Sequence, residues 1–146
     1  MAPSRFRNLL LLHVGLTIAS VLAAFFANYS PPLATAYENE PSGLLLENIL
    51  ATLAVMLPLA VGQITGLVGL YAFKHWARPL MLWTTILMVL LGPMTGAILM
   101  TGIESALFQA ATLVLGAVLA AAYFSPVSTR FEASRQARAL PIQAVA

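Results

Sequence analysis

The stretch Tyr71-Ala72-Phe73-Lys74-His75-Trp76-Ala77-Arg78-Pro79 decides the fold, because this short basic and aromatic turn sits between two long apolar runs. About 20 apolar residues suffice to cross a bilayer as a helix. Two such runs joined by this turn make a tight helical hairpin, and Lys/Arg in a short loop holds that loop in the cytoplasm. Pro79 suits the first turn of the second helix, where an N–H has no helical partner to lose.

Working outward, the same pattern recurs. Arg5 and Arg7 precede the first apolar run, and Arg130, Arg135 and Arg138 follow the last, so all seven basic residues fall on one side with Lys74 and Arg78. Four of the five acids, Glu38, Glu40, Glu47 and Glu104, fall in the alternate gaps. Four spans with both termini inside give this split. The chain therefore reads as an all-α membrane protein: one domain of four transmembrane helices, as two antiparallel hairpins in a compact bundle. The spans are expected at about 8–29, 44–71, 79–100 and 104–124, with a short basic cytoplasmic tail over 125–146.

Composition agrees. Of 146 residues 60% are hydrophobic and 8% charged, with a mean hydropathy of +0.90. Soluble domains carry about a quarter charged residues. The net charge of +2 comes from the cytoplasmic anchors, and these form no basic and aromatic cluster of the kind that binds nucleic acid. Cysteine is absent, which excludes disulfides, thiolate metal sites and cysteine nucleophiles. The first run has the basic start of a signal peptide and an A-x-A pattern at Ala34-Thr35-Ala36, but its apolar stretch, 9–27, exceeds the roughly 7–15 residues of a signal core. It is expected to remain as a span.

Breakers set the expected ends. Ser30-Pro31-Pro32 stops span one, and an acidic outer loop follows over 30–43 with Pro41 and Gly43 inside it. Ser42 is the candidate N-cap of span two, and Thr101-Gly102 makes a minimal turn before span four. Thr129 and Glu132 have the T-x-x-E spacing of a capping box, so a short tail helix is expected, stopped by Pro141. Tyr71, Trp76, Trp83 and Tyr123 mark the inner boundary, and Tyr29 and Tyr37 the outer one, as aromatic rings favour headgroup depth.

Small residues recur at four-residue spacing: Gly15, Ala19, Ala23 and Ala27, then Ala54, Pro58, Gly62 and Gly66, then Gly92 and Gly96, then Ala106 and Ala110 with Gly116 and Ala120. In lipid, small faces let backbones approach and gain dispersion contacts. Gly15, Ala19, Gly62, Gly66, Gly92 and Gly96 are thus candidate helix-packing residues, within one bundle or toward a partner. Pro58 and Pro93 fall inside spans and should kink them, freeing the carbonyls of Ala54 and Val89, with Thr52 and Thr95 near enough to compensate. A faint parallel repeat relates Arg7 to Arg78 and Glu47-x-x-Leu50 to Glu104-x-x-Leu107.

Two polar groups are candidate sites. On the outer side, Glu47 and Glu104 open their helices, where a carboxylate complements the positive end. If they converge with Asn48, Gln109 and Thr52, they form a cation or proton entry site. On the inner side, His13 and His75 are accompanied by Gln63 and Thr84. Without H-x-x-x-H spacing, cysteine or an orienting carboxylate, His13 is expected to hydrogen-bond Gln63, Thr84 or a backbone carbonyl and not to bind haem or metal. Asn28-Tyr29-Ser30 fits a glycosylation pattern at the membrane end and is read as structural. Hydrolase, kinase, Rossmann and P-loop patterns are absent, and no Asp occurs. No catalytic residue, metal or cofactor is expected.

The function expected is a non-enzymatic accessory, scaffold or partner-binding role in a multi-pass protein of a bacterial inner membrane. Its partners would be lipids, copies of itself or other membrane subunits, not nucleic acid. The alternative is a small oligomeric channel or transporter with an acidic outer mouth.

Overall fold

The structure, a computed structural model, describes residues 1–40, 43, 47–96 and 98–139, with side chains described through Ala133. It contains α1 (Pro3–Phe25), α2 (Pro31–Glu38), α3 (Ile49–Tyr71), α4 (Ala77–Leu91) with a 3-10 turn over Gly92–Thr95, α5 (Gly102–Phe124) and α6 (Ser128–Ala139). Among the described residues four helices are long and apolar enough to cross a membrane: α1, α3, α4 with its 3-10 extension, and α5. The four-span architecture stands. Most of each span faces outward, as an apolar helix does when lipid is its solvent.

Several boundaries differ from expectation, each for a local reason. Pro31 and Pro32 do not only end α1. They occupy the first positions of α2, where a fixed φ and a missing N–H cost nothing, so part of the expected loop is helical. The helix of span two begins at Ile49 because Asn48 caps it: its Oδ1 accepts from Leu50 N at 3.0 Å and Ala51 N at 3.2 Å. The expected cap, Ser42, and the first residues of the expected span lie outside the described residues. Pro58 is carried within α3, which continues to Tyr71.

Span three stops short of Met100. The α-helix ends at Leu91, and Pro93 lies in the 3-10 turn and not in an α-helical span. Thr95 Oγ1 donates to Gly92 O at 2.7 Å, and Gly96 then turns the chain with φ 78°, a value that suits glycine because it has no Cβ. The tail helix exists, but Thr129 does not cap it. The helix starts one residue earlier, at Ser128, and Thr129 Oγ1 donates to Pro126 O at 2.8 Å.

The helices associate as two antiparallel pairs, and these are not both sequential. α1 lies along α5, and α3 lies along α4. Along the first pair His13 meets Ala111 and Ser20 meets Glu104. Along the second Gly62 meets Thr84, Gly66 meets Met81, and Gly69 meets Ala77. The turn around Lys74 is therefore a true hairpin, whereas spans one and four pair as the outermost segments of the chain.

The pairs join at the basic end. Phe6, Leu10, Leu70, Phe73, Met81, Val118 and Phe131 form one core with their neighbours. Three of its rings touch: Phe6 and Phe73 at 5.6 Å, Phe73 and Phe131 at 5.4 Å, and Phe6 and Phe131 at 6.0 Å between centroids. They tie α1, the α3–α4 turn and α6 together. Phe73 sits at φ 53°, a left-handed position usually given to glycine. There Lys74 N bonds Gly69 O at 2.8 Å and Phe73 N bonds Leu70 O at 3.1 Å, the two bonds of a Schellman end. Burial of its ring offsets the backbone strain of about 1–2 kcal/mol.

Candidate functional site

At the end away from the basic segments, Glu104 is the organising residue. Thr101 is the N-cap of α5: Glu104 N donates to Thr101 Oγ1 at 3.2 Å, and Thr101 N donates to Glu104 Oε2 at 3.3 Å. This is a complete capping box, satisfying two orphan donors of the helix start. Ser20 Oγ of α1 donates to Glu104 O at 3.3 Å. The Tyr29 hydroxyl reaches across to Leu99 O at 3.2 Å and Glu104 Oε2 at 3.4 Å. Burial first, then the Glu104 charge and hydrogen bond with a smaller effect of Tyr37, hold the Tyr29 phenol above its ordinary pKa. It therefore stays a donor. In the sequence Tyr29 carries only a boundary signal, and nothing there pairs it with Glu104, although the T-x-x-E spacing at Thr101 is readable.

The expected outer cluster is distributed over three separate arrangements. Glu104 is buried at 7% exposure and bonded inward, Asn48 caps α3, and Gln109 Nε2 donates to Ser105 Oγ on an exposed face at 3.1 Å. Glu47 lies one residue before the α3 cap, whereas Glu104 lies three residues after its cap. The two acids thus hold different helical positions, and the faint repeat fails in register. Thr52 Oγ1 donates to Asn48 O at 3.1 Å.

The expected inner cluster also divides between the pairs. His13 Nδ1 lies 3.0 Å from Ala111 O; bonding a carbonyl places the proton on Nδ1, so of the three expected partners the ring takes the backbone carbonyl. Gln63 Nε2 donates to Thr85 Oγ1 at 3.2 Å, while Thr84 Oγ1 bonds back to Leu80 O at 2.9 Å. His75 remains in the inner turn. Among the described residues no three His, Cys, Asp or Glu side chains gather as a metal site, and every buried polar side-chain atom has a partner.

The glycines divide just as clearly. A Cβ on Gly62 would meet Thr84 Cγ2 at 2.7 Å, and one on Gly66 would meet Met81 Sδ at 3.0 Å, so these two pack α3 against α4 as expected. Gly69, which the four-residue spacing passed over, is tighter still, at 2.6 Å from Ala77 Cβ. Gly15 and Gly92 have open space, and Gly96 serves the turn. The buried face of α1 is Phe6, Leu10, His13 and Ser20; Gly15 is exposed and Ala19 half-buried.

One further surface emerges on α5. Ser105, Gln109, Thr112, Gly116 and Ala120 recur at three- and four-residue spacing, about 120° round the helix from its packing face at 100° per residue. Gln109, Thr112, Gly116 and Ala120 are exposed, and a Cβ on Gly116 would meet nothing within 4 Å. This is a polar and small-residue stripe turned toward lipid.

In one prediction, Glu104→Ala costs about 1–2 kcal/mol, for the lost capping box and the lost bond from Tyr29. Glu47→Ala stays within about 0.5 kcal/mol, as a surface change outside any cap. Thermal unfolding in detergent checks the contrast; equal effects would deny Glu104 its organising role. No known family model, curated protein or solved structure matches this chain.

Proposed function

We propose that this chain is a non-enzymatic membrane protein that works by lateral association, as an accessory subunit or self-associating scaffold. The observation that carries the reading is the lipid-facing stripe on α5. Thr112 Oγ1 is satisfied by Phe108 O at 2.9 Å and Gln109 Nε2 by Ser105 Oγ at 3.1 Å, but a Gln amide beside an open glycine is still poorly placed against hydrocarbon. Against another helix they supply close backbone approach and interhelical hydrogen bonds worth about 0.6–2 kcal/mol each. Glu104, which an outer channel mouth would need, is already committed to Thr101 and Tyr29.

The test is the mass of the native complex in mild detergent. Wild type should run as an assembly, with copies of itself or with a co-purifying chain. Gly116→Leu should release it without lowering the thermal stability of the subunit, since its Cβ has free space. A wild type that is monomeric and alone would overturn the reading.

The membrane in this reading is a cell membrane with the basic end in the cytoplasm, since Lys and Arg of short loops stay inside. All three inner segments, at Phe6, Phe73 and Phe131, meet at that end. Single cysteines at Asn39 and Ala133, both exposed, should label from opposite sides. Outside labelling of Ala133→Cys in intact cells would reverse the orientation.

A further inference from the structure

Between the two helix pairs, α1 and α3 touch sparsely and leave a groove of about 210 Å³, lined by Leu10, Leu11, Val14, Leu67, Val68 and Tyr71. Apart from the Tyr71 hydroxyl, the lining side chains are apolar. The groove lies at the inner end of both helices. Arg7 stands directly over it, since Arg7, Leu11 and Val14 are one helical face at i, i+4 and i+7. Its guanidinium carbon is 4.8 Å from the Tyr71 ring centroid and 5.2 Å from that of Phe73, within cation–π range.

Arg7 differs from its counterpart Arg78. Arg78 also lies over two rings, Tyr123 and Phe131, but its Nη1 donates to Ala122 O at 3.1 Å. Arg78 is a clamp between α4, α5 and α6. Arg7 is exposed and donates to no described residue, so a fork of donors suited to two phosphate oxygens is open. The inner segments hold all seven basic residues and one acid, Glu132, a balance that attracts an anion.

We propose that this groove is a binding site for one anionic glycerophospholipid, its phosphate on Arg7 and one acyl chain between α1 and α3. The stacked rings hold the guanidinium at headgroup depth, and the apolar lining begins immediately beneath it. From Leu10 to Val14 the groove is only about 6 Å long at 1.5 Å per residue, which fits a chain passing through into the bilayer and is too short to seat a helix. This site is separate from the α5 stripe and stands whether or not the subunit associates.

The protein is placed in nanodiscs of equal phosphatidylglycerol and phosphatidylcholine, and the lipid it retains is identified by native mass spectrometry. Wild type should retain phosphatidylglycerol in preference, one per chain. Arg7→Gln should weaken retention about tenfold, the loss of a charge-assisted fork, while Arg5→Gln leaves it unchanged. Val68→Trp, which fills the groove from an exposed position, should abolish retention with Arg7 intact, and it decides the matter if Arg7→Gln fails to fold. Equal retention of both lipids, equal loss with Arg5→Gln, or full retention with Val68→Trp would each overturn the proposal. A dimer dissociated by Val68→Trp with lipid content unchanged would also overturn it, by assigning the groove to a second copy.

Discussion

Phe131→Ala should detach the tail helix and lower the stability of the whole inner end. Phe131 is fully buried, and its ring meets Phe6 at 81° and Phe73 at 64°, edge-on arrangements favourable beyond the area they bury. Truncating a buried Phe costs about 3–5 kcal/mol where neighbours cannot collapse into the gap. Collapse is difficult here because Phe73 is held on a left-handed backbone and Phe6 on a long helix. Nor can α6, at 12 residues, persist undocked, since helices shorter than about 12–15 residues are marginal in water. Trypsin should therefore cut Phe131→Ala at Arg130 far faster than wild type, with a large drop in Tm in detergent. Phe131→Leu should recover most of the loss. Cleavage at the wild-type rate would mean that α6 is held by something other than this ring cluster.

The architecture was legible because its signals are global. Charge on alternate gaps and runs of some 20 apolar residues report the solvent, and lipid imposes helices on any backbone that crosses it. Helix ends were less legible, because caps are decided by which of several competent side chains the tertiary fold brings into place. The T-x-x-E pattern occurs three times, at Thr35, Thr101 and Thr129. Only Thr101 is an N-cap, because Ser20 and Tyr29 converge on Glu104 there, while the Pro126 carbonyl takes the Thr129 hydroxyl. Likewise Pro31 and Pro32 carry one chemical message, a fixed φ and no donor, that serves equally to end one helix and to begin another.

The polar candidates failed as clusters for a related reason. Their grouping assumed that residues at one membrane depth meet. Depth is one coordinate, and the pairing of α1 with α5 supplies the other. His13 and Gln63 fall in different helix pairs, so each takes a partner from its own: Ala111 O for one and Thr85 for the other. Nothing in a single sequence states that spans one and four are neighbours. From sequence Arg7 is only a topological anchor, because the groove beneath it exists only after α3 is placed.

Glycine substitutions separate packing from pattern most sharply. Gly69→Leu should destabilise the isolated subunit by about 1–3 kcal/mol or more, the usual range for overpacking. Its Cβ would stand 2.6 Å from Ala77 Cβ and 2.8 Å from Trp76 Cη2. Ala77 has no further atoms to rotate away, so relief requires α3 and α4 to part and lose many small dispersion contacts together. Gly62→Leu should follow, opposed by Thr84, whose hydroxyl is fixed on Leu80 O. Gly66→Leu should be milder because its nearest neighbour is the Met81 sulfur at 3.0 Å, near the end of an unbranched side chain that can change rotamer. Gly92→Leu meets open space and should stay within about 0.5 kcal/mol of wild type. Thermal unfolding of the monomer in detergent ranks the four. If Gly92→Leu proved as damaging as Gly69→Leu, the α3–α4 contact would not be what the glycines hold. If Gly69→Leu kept its Tm but lost an oligomer, that face would belong to a partner.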